Sequence, residues 1–149
     1  MVREDGRCWV VRFRPSLLML FKRRRKDMHA VAITGSYEWT NAELVRKYIE
    51  ALPKKSIVIT GDSIGVELWA DAYANDYGHQ SIIIPKPLGE KTVTTKDKNK
   101  IAIELLKGLH KADHSVEIIV FYYPGNKRSL VYDLYARGKR AMLPSQLVT

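Results

Sequence analysis

The chain has 149 residues, 46% of them hydrophobic and 28% charged, with a formal net charge of +9. That length suits one domain with a real core, and the composition is that of a soluble globular protein. The single Cys8 excludes an intrachain disulfide and any cysteine-cluster metal site, so a reducing, cytoplasmic setting is the expectation.

The positive charge is unevenly placed. Residues 1–27 hold nine Lys/Arg and three Asp/Glu, whereas residues 28–149 hold sixteen and thirteen. The densest part is Lys22, Arg23, Arg24, Arg25 and Lys26, a run suited to nucleic acid or an anionic surface, or else a solvated arm. The apolar run there, Leu17 to Phe21, falls far short of the ~20 residues that span a membrane. It also precedes the strongest charge, the reverse of a signal peptide. No membrane partner is expected. The chain therefore divides into a basic N-terminal extension, 1–27, and a domain, 28–149, with Met28 a plausible alternative start.

Within the extension, Trp9 to Arg14 alternates like a short strand, and Pro15 is placed to open a basic amphipathic helix. The regular part begins at Ala30. Val31, Ala32, Ile33 and Thr34 read as a strand that stops at Gly35 and Ser36. Thr40 and Glu43 have capping-box spacing ahead of a helix that carries Leu44, Val45, Tyr48, Ile49 and Leu52. Ile57 to Thr60 is a second strand, followed by the loop 61–65 and a helix with Val66, Leu68, Trp69, Ala72 and Tyr73 at helical spacing. Gly78 is its expected C-terminal stop. Ser81 to Ile84 is a third strand, and a polar loop with Gly89 leads to a helix marked by Ile101, Leu105, Leu106 and Leu109. Val116 to Tyr122 is a fourth strand. After the loop 124–129, a helix with Leu130, Val131, Leu134 and Tyr135 is expected to end at Gly138, with Arg140 to Leu143 as a short last strand.

Strand and helix thus alternate four times, which predicts an α/β fold: a single Rossmann-like three-layer domain with a mostly parallel five-stranded sheet. With right-handed crossovers the expected order is 3-2-1-4-5. Strands 1 and 4 then flank the topological switch point, where ligands bind beside the carboxyl ends of such strands. Three loops meet there: Gly35–Ser36, 61–65 and 124–129.

A glycine-bounded turn from strand to helix aims backbone N–H groups at one point and favours an anion. No loop matches G-x-G-x-x-G or G-x-x-x-x-G-K-[ST], which argues against an ordinary NAD-binding domain or ATPase. There is no G-x-S-x-G elbow for nucleophilic catalysis. His29, His79, His110 and His114 lack ligand spacing, so no metal site is expected.

Taken together, Thr34-Gly35-Ser36 with Trp39-Thr40, then Gly61-Asp62-Ser63 with Gly65, then Pro124-Gly125-Asn126 with Arg128-Ser129 resemble the SLOG superfamily over about residues 30–143. That Rossmann-like group contains the LOG (lonely-guy) phosphoribohydrolases, the DNA-processing protein A domain and the YspA-like nucleotide-sensing proteins. The YspA-like branch is the most similar in pattern. The resemblance implies a nucleotide or ADP-ribose-like ligand, with Mg2+ the one cofactor such a ligand would bring, and a homodimer built through helices beside the sheet. It also implies a ligand set of Gly35, Ser36, Gly61, Asp62, Ser63, Gly65, Lys98, Asn99, Pro124, Gly125, Asn126, Arg128 and Ser129.

The departures bear on catalysis. Asp62 replaces the second glycine of a G-G pair, the helix Asp of the pattern falls near Glu67, and the Arg-Asn pair becomes Lys98-Asn99. Asn126 and Arg128 stand where the third motif has glycines. LOG enzymes place a Glu where this chain has Tyr132, with Asp133 beside it and out of phase. An oxocarbenium-like transition state needs a carboxylate, so the expectation leans away from an enzyme. Asp62, Asp133 and Glu67 remain the candidates for a hydrolase, and a DNA-binding protein is the further alternative.

In physical terms, Arg128 and Lys98 could neutralise phosphate, whereas Asp62 repels it and suits ribose hydroxyls, a base or a metal. The hydroxyls of Ser36, Ser63 and Ser129 serve equally as helix caps. Trp39 is expected to pack on the sheet, and Tyr122 and Tyr123 either to stack on a base or to pack.

Overall fold

Strands and helices of this length must bury one face against another element, and the chain solves this with a doubly wound sheet. The computed structural model describes residues 28–85, 95–123 and 130–149. The strand and helix expected within 1–27 and the loop 124–129 lie outside the described residues. The order is β1 (His29–Gly35), α1 (Ala42–Glu50), β2 (Ile57–Gly61), α2 (Val66–Asp76), β3 (Gln80–Ile84), α3 (Thr95–Lys111), β4 (Ser115–Phe121), α4 (Leu130–Arg140) and β5 (Ser145–Val148). The five strands pair in the order β3-β2-β1-β4-β5, and every pairing is parallel. The expected order and class are therefore as observed.

Alternation along each strand builds two cores. Ala30, Ala32, Ile57, Ile59, Ile118 and Val120 face α3 and α4, where Ala102, Leu106 and Leu134 meet them. Val31, Ile33, Val58, Ile119 and Phe121 face α1 and α2, where Val45, Ile49, Val66, Ala70 and Ala74 meet them. Burying each large side chain contributes about 1.5–3 kcal/mol. The central pair, β1 and β4, is in register over its whole length, from His29 opposite Ser115 to Gly35 opposite Phe121. The edge strand β3 is less covered, with Ile82 and Ile83 each 40% exposed.

Three expected local features fall elsewhere. The cap of α1 is Asn41, whose side chain accepts from the Leu44 N–H at 3.0 Å, while Glu43 pairs with Arg46 and leaves no box for Thr40. Gly138 lies inside α4 rather than ending it: a Cβ there would sit 2.4 Å from Ile118 Cδ1, so glycine lets the helix approach the sheet. Residues 140–143 form the helix end rather than a strand, and β5 follows at Ser145. Met142 takes a left-handed conformation (φ 59°), and the Leu143 N–H reaches the Gly138 carbonyl at 2.9 Å, closing a Schellman turn. Gly78 closes α2 in the same way, as expected, with φ 78°.

His79 is a core residue rather than a ligand. Its Nδ1 accepts from the Ser56 N–H at 3.1 Å, and its Nε2 lies 3.2 Å from the Ile49 carbonyl.

Candidate functional site

At the switch point the chain leaves β1 toward one face of the sheet and β4 toward the other, which opens a crevice between them. A cleft of about 270 Å³ lies there. Its described walls come from the end of β1 and its loop (Thr34 to Glu38), the second loop (Ser63, Ile64), and the starts of α2 (Glu67), α3 (Lys98) and α4 (Leu130, Val131). Leu130 and Val131 directly follow the third loop. Pro124, Gly125, Asn126, Arg128 and Ser129 themselves lie outside the described residues.

The glycines serve close approach. A Cβ on Gly35 would stand 2.3 Å from Val66 Cγ2, so its absence lets the first residue of α2 sit on the end of β1. A Cβ on Gly61 would stand 2.5 Å from Glu67 Oε1 and 2.8 Å from Lys98 Nζ. Gly65, at φ 103°, provides the backbone turn into α2 without a side-chain cap.

The anion at the start of α2 is the protein's own. Glu67 Oε1 accepts the Ser63 N–H at 3.0 Å, and Glu67 Oε2 accepts the Thr34 hydroxyl at 2.9 Å. Lys98 Nζ lies 3.2 Å from Asp62 Oδ1 and 3.9 Å from Glu67 Oε1. The side chains of Lys98 and Glu67 are nearly buried, at 11% and 13% exposure, whereas Asp62 is 43% exposed. One cation thus stands between two carboxylates; of these Glu67 is on the described cleft wall, where Glu38 is the second acidic group, whereas Asp62 is not. This side of the cleft repels phosphate and suits hydroxyls or a base edge. Among the described residues no group of three or more His, Cys, Asp or Glu is placed to hold a metal ion. With Lys98 already between Asp62 and Glu67, the described donors do not fit a protein-held Mg2+.

Ser36 is buried and ties the two central strands together past their ends. Its N–H donates to the Phe121 carbonyl at 2.9 Å, and its hydroxyl accepts the Tyr123 N–H at 3.1 Å. The hydroxyl still has its own hydrogen to offer a ligand. Trp39 packs, as expected: it is buried, its ring lies 5.5 Å from Phe121, and its Nε1–H donates to the Asn41 carbonyl at 3.1 Å.

Asn99 and Asp133 meet each other rather than the cleft. Asn99 Nδ2 donates to Asp133 Oδ2 at 3.0 Å and to the Leu130 carbonyl at 2.9 Å, and Arg137 Nε donates to Asp133 Oδ2 at 2.6 Å. Partial burial opposes ionisation of Asp133, but these bonds and the Arg137 and Arg140 charges hold its carboxyl below the usual range. Tyr132 lies between the rings of Tyr122 and Tyr135, at 5.6 Å from each. Tyr122 is buried, whereas Tyr123 is half exposed at the sheet edge.

Sequence reasoning missed Thr34, Tyr37, Glu38 and Ile64 as cleft walls and weighed Glu67 only as a spare carboxylate. An acidic residue in a first helical turn reads as a dipole partner. Its bond to Thr34 joins residues far apart in sequence and leaves no local signal.

No protein-family model and no curated protein matches the chain. Among solved structures, the chain is structurally similar to DNA processing protein A from Streptococcus pneumoniae, with 14% sequence identity and a TM-score of 0.45. The match covers 81% of this chain and 59% of that one, so the chain spans a little over half the length of that protein.

Proposed function

We propose that the cleft binds a nucleotide or nucleotide-derived ligand such as ADP-ribose, and that the protein is a ligand sensor or binding module of the SLOG type, with the YspA-like pattern. The observation that carries this reading is the cleft itself. It lies at the switch point, and it offers hydroxyls on one side and a carboxylate-flanked Lys98 on the other. The acidic wall formed by Glu38 and Glu67, with Asp62 paired to Lys98 beside it, fits ribose hydroxyls or a base edge. The phosphate is then left to the first loop and to Arg128 and Ser129 of the third.

A binding role is favoured over hydrolysis because the candidate carboxylates Asp133 and Glu67 are engaged. Asp133 is held by Asn99 and Arg137, Glu67 by Thr34 and Ser63, and Tyr132 occupies the position of the LOG glutamate. Thermal-shift measurements with nucleoside mono- and diphosphates and ADP-ribose test the reading. A ligand at 100 times its Kd adds about 2.7 kcal/mol and raises Tm. No rise with any of them overturns it.

The second reading, hydrolysis of the N-glycosidic bond of a nucleoside monophosphate, is favoured by one observation: Glu67 lines the cleft. It requires release of free base from a nucleoside monophosphate, lost in Glu67→Gln.

A further inference from the structure

The two helical layers carry opposite charge. α1 and α2 hold two Lys/Arg and five Asp/Glu, whereas α3 and α4 hold eight and three. The imbalance on the second layer is concentrated by shape. A groove of about 230 Å³ runs between α3 and α4, and Lys100, Arg137 and Arg140 stand on its walls with Glu104 as the one acidic group among the described residues. This groove shares no wall residue with the switch-point cleft.

Helical spacing extends the positive stripe. Lys100, Lys107 and Lys111 follow one another at intervals of seven and four residues on α3, so they share a face. Glu104 lies on that face too and is 3.6 Å from Lys107 Nζ, so the two charges partly offset each other and the stripe keeps a net positive charge from Lys100 and Lys111. On α4, Arg137 and Arg140 are one turn apart, and the bond from Arg137 Nε to Asp133 fixes the guanidinium at the groove wall.

We infer that the α3–α4 groove is a docking surface for the phosphodiester backbone of a nucleic acid. Lys100 and Lys107 are about 10 Å apart along the helix axis at ~1.5 Å per residue. That span matches about three nucleotides at ~3.4 Å per strand step, so the groove addresses a chain of phosphates rather than one phosphate group. A membrane surface fits less well. Interfacial helices present large apolar residues among their basic ones; the apolar walls of this groove are Ala141 and the buried Ile103, and the exposed Ile101 and Leu105 of α3 stand outside it. Recognition through phosphates carries no base contact, so binding is independent of sequence.

Fluorescence anisotropy of labelled 20-nucleotide single strands and duplexes, titrated with the full chain over a range of salt, tests this. The variant Lys100→Ala/Lys107→Ala/Arg140→Ala is compared with a charge-matched control, Lys47→Ala/Lys54→Ala/Lys55→Asn. Asn is chosen at position 55 because Lys55 has φ 59°. The groove variant should weaken binding at least tenfold at low salt. It should also reduce the slope of log K against log salt by about 2–3, since each lost phosphate contact removes ~0.7–0.9. The control should change affinity less than twofold, and Lys100→Arg/Lys107→Arg should bind like the parent. Equal losses in groove and control variants would mean attraction by net charge alone and would overturn the proposal. So would no binding by the parent chain, or loss of binding to anionic phospholipid vesicles in the groove variant with nucleic-acid binding intact. Unchanged unfolding midpoints in all variants make any loss a loss of contact.

Discussion

The Thr34 hydroxyl donates to Glu67 Oε2 at 2.9 Å, tying the end of β1 to the first turn of α2 across the mouth of the cleft. The other oxygen of the same carboxylate takes the Ser63 N–H and lies near Lys98 Nζ, so one side chain joins β1, the second loop and α3. Glu67 therefore fixes the shape of the cleft as much as its charge. Glu67→Ala takes one of two carboxylates from a nearly buried ammonium, leaving it Asp62 at 3.2 Å, and leaves two donors to satisfy, which costs about 1–3 kcal/mol per unsatisfied buried group. The expected outcome is a loss of about 2–4 kcal/mol in urea unfolding, together with loss of the ligand-induced rise in Tm. Glu67→Gln keeps the acceptor for one donor and should cost roughly half as much.

Gly35 is where the cleft is most sensitive to a single methyl group. The missing Cβ would overlap Val66 Cγ2 at 2.3 Å, and both partners are backbone-anchored, so neither can swing aside. Gly35→Ala should destabilise by about 1–3 kcal/mol, the usual range for forcing a methyl group into a packed interior. The double variant Gly35→Ala/Val66→Ala removes the clashes with the two Val66 methyl groups but leaves the Cβ of position 66 at 2.6 Å, so it should recover only part of the loss relative to the sum of the single changes. Strict additivity in a denaturation cycle would show that the two sites do not press on each other.

Sheet order was legible because β1, β2 and β4 are apolar runs bounded by turn residues, and handedness leaves few ways to connect them. The last strand was not. Ala141, Met142 and Leu143 are an apolar run with strand-like composition, yet Met142 is 89% exposed and forms the left-handed turn of a helix end. The true β5 reads Ser-Gln-Leu-Val, a short edge strand whose first two positions are polar. The shift from Thr40 to Asn41 has a similar origin, since two adjacent residues could each cap α1 and only three-dimensional packing chooses. For the cleft, the glycines and Asp62 were readable from turn chemistry, whereas the Glu67 bonds depend on residues that meet only after folding.

Met142 offers a direct test of that turn. A non-glycine residue at φ 59° bears a left-handed cost of about 1–2 kcal/mol, against which glycine pays about 0.5–1 kcal/mol of extra chain entropy. The side chain is almost fully exposed, so little packing is lost on its removal. Met142→Gly should therefore stabilise the fold by about 0.5 kcal/mol, a rise of roughly 1–2 °C in Tm for a domain of this size. A fall in Tm would mean that Met142 contributes contacts that outweigh the strain.

Asp133 predicts how the α3–α4 layer responds to acid. Its folded-state carboxyl ionises below the usual range, because the bonds from Asn99 and Arg137 outweigh the opposing effect of partial burial. A depressed carboxyl binds its proton less readily in the folded state than in the unfolded chain, so unfolding takes up protons in the titration range. Its stabilising contribution is then full above the unfolded value of about 3.9 and is lost as pH falls through the lower folded value. Asp133→Asn removes the charge-assisted bond to Arg137, a type of bond that contributes about 1.5–3 kcal/mol. It should lower stability at pH 7 by up to that amount. The gap between the variant and the parent should narrow steadily below about pH 4, where the parent's carboxyl is neutralised too. Urea midpoints measured from pH 7 to pH 2.5 decide the matter, because a gap that stays constant over that range would show that the Asp133 charge contributes nothing to the clasp.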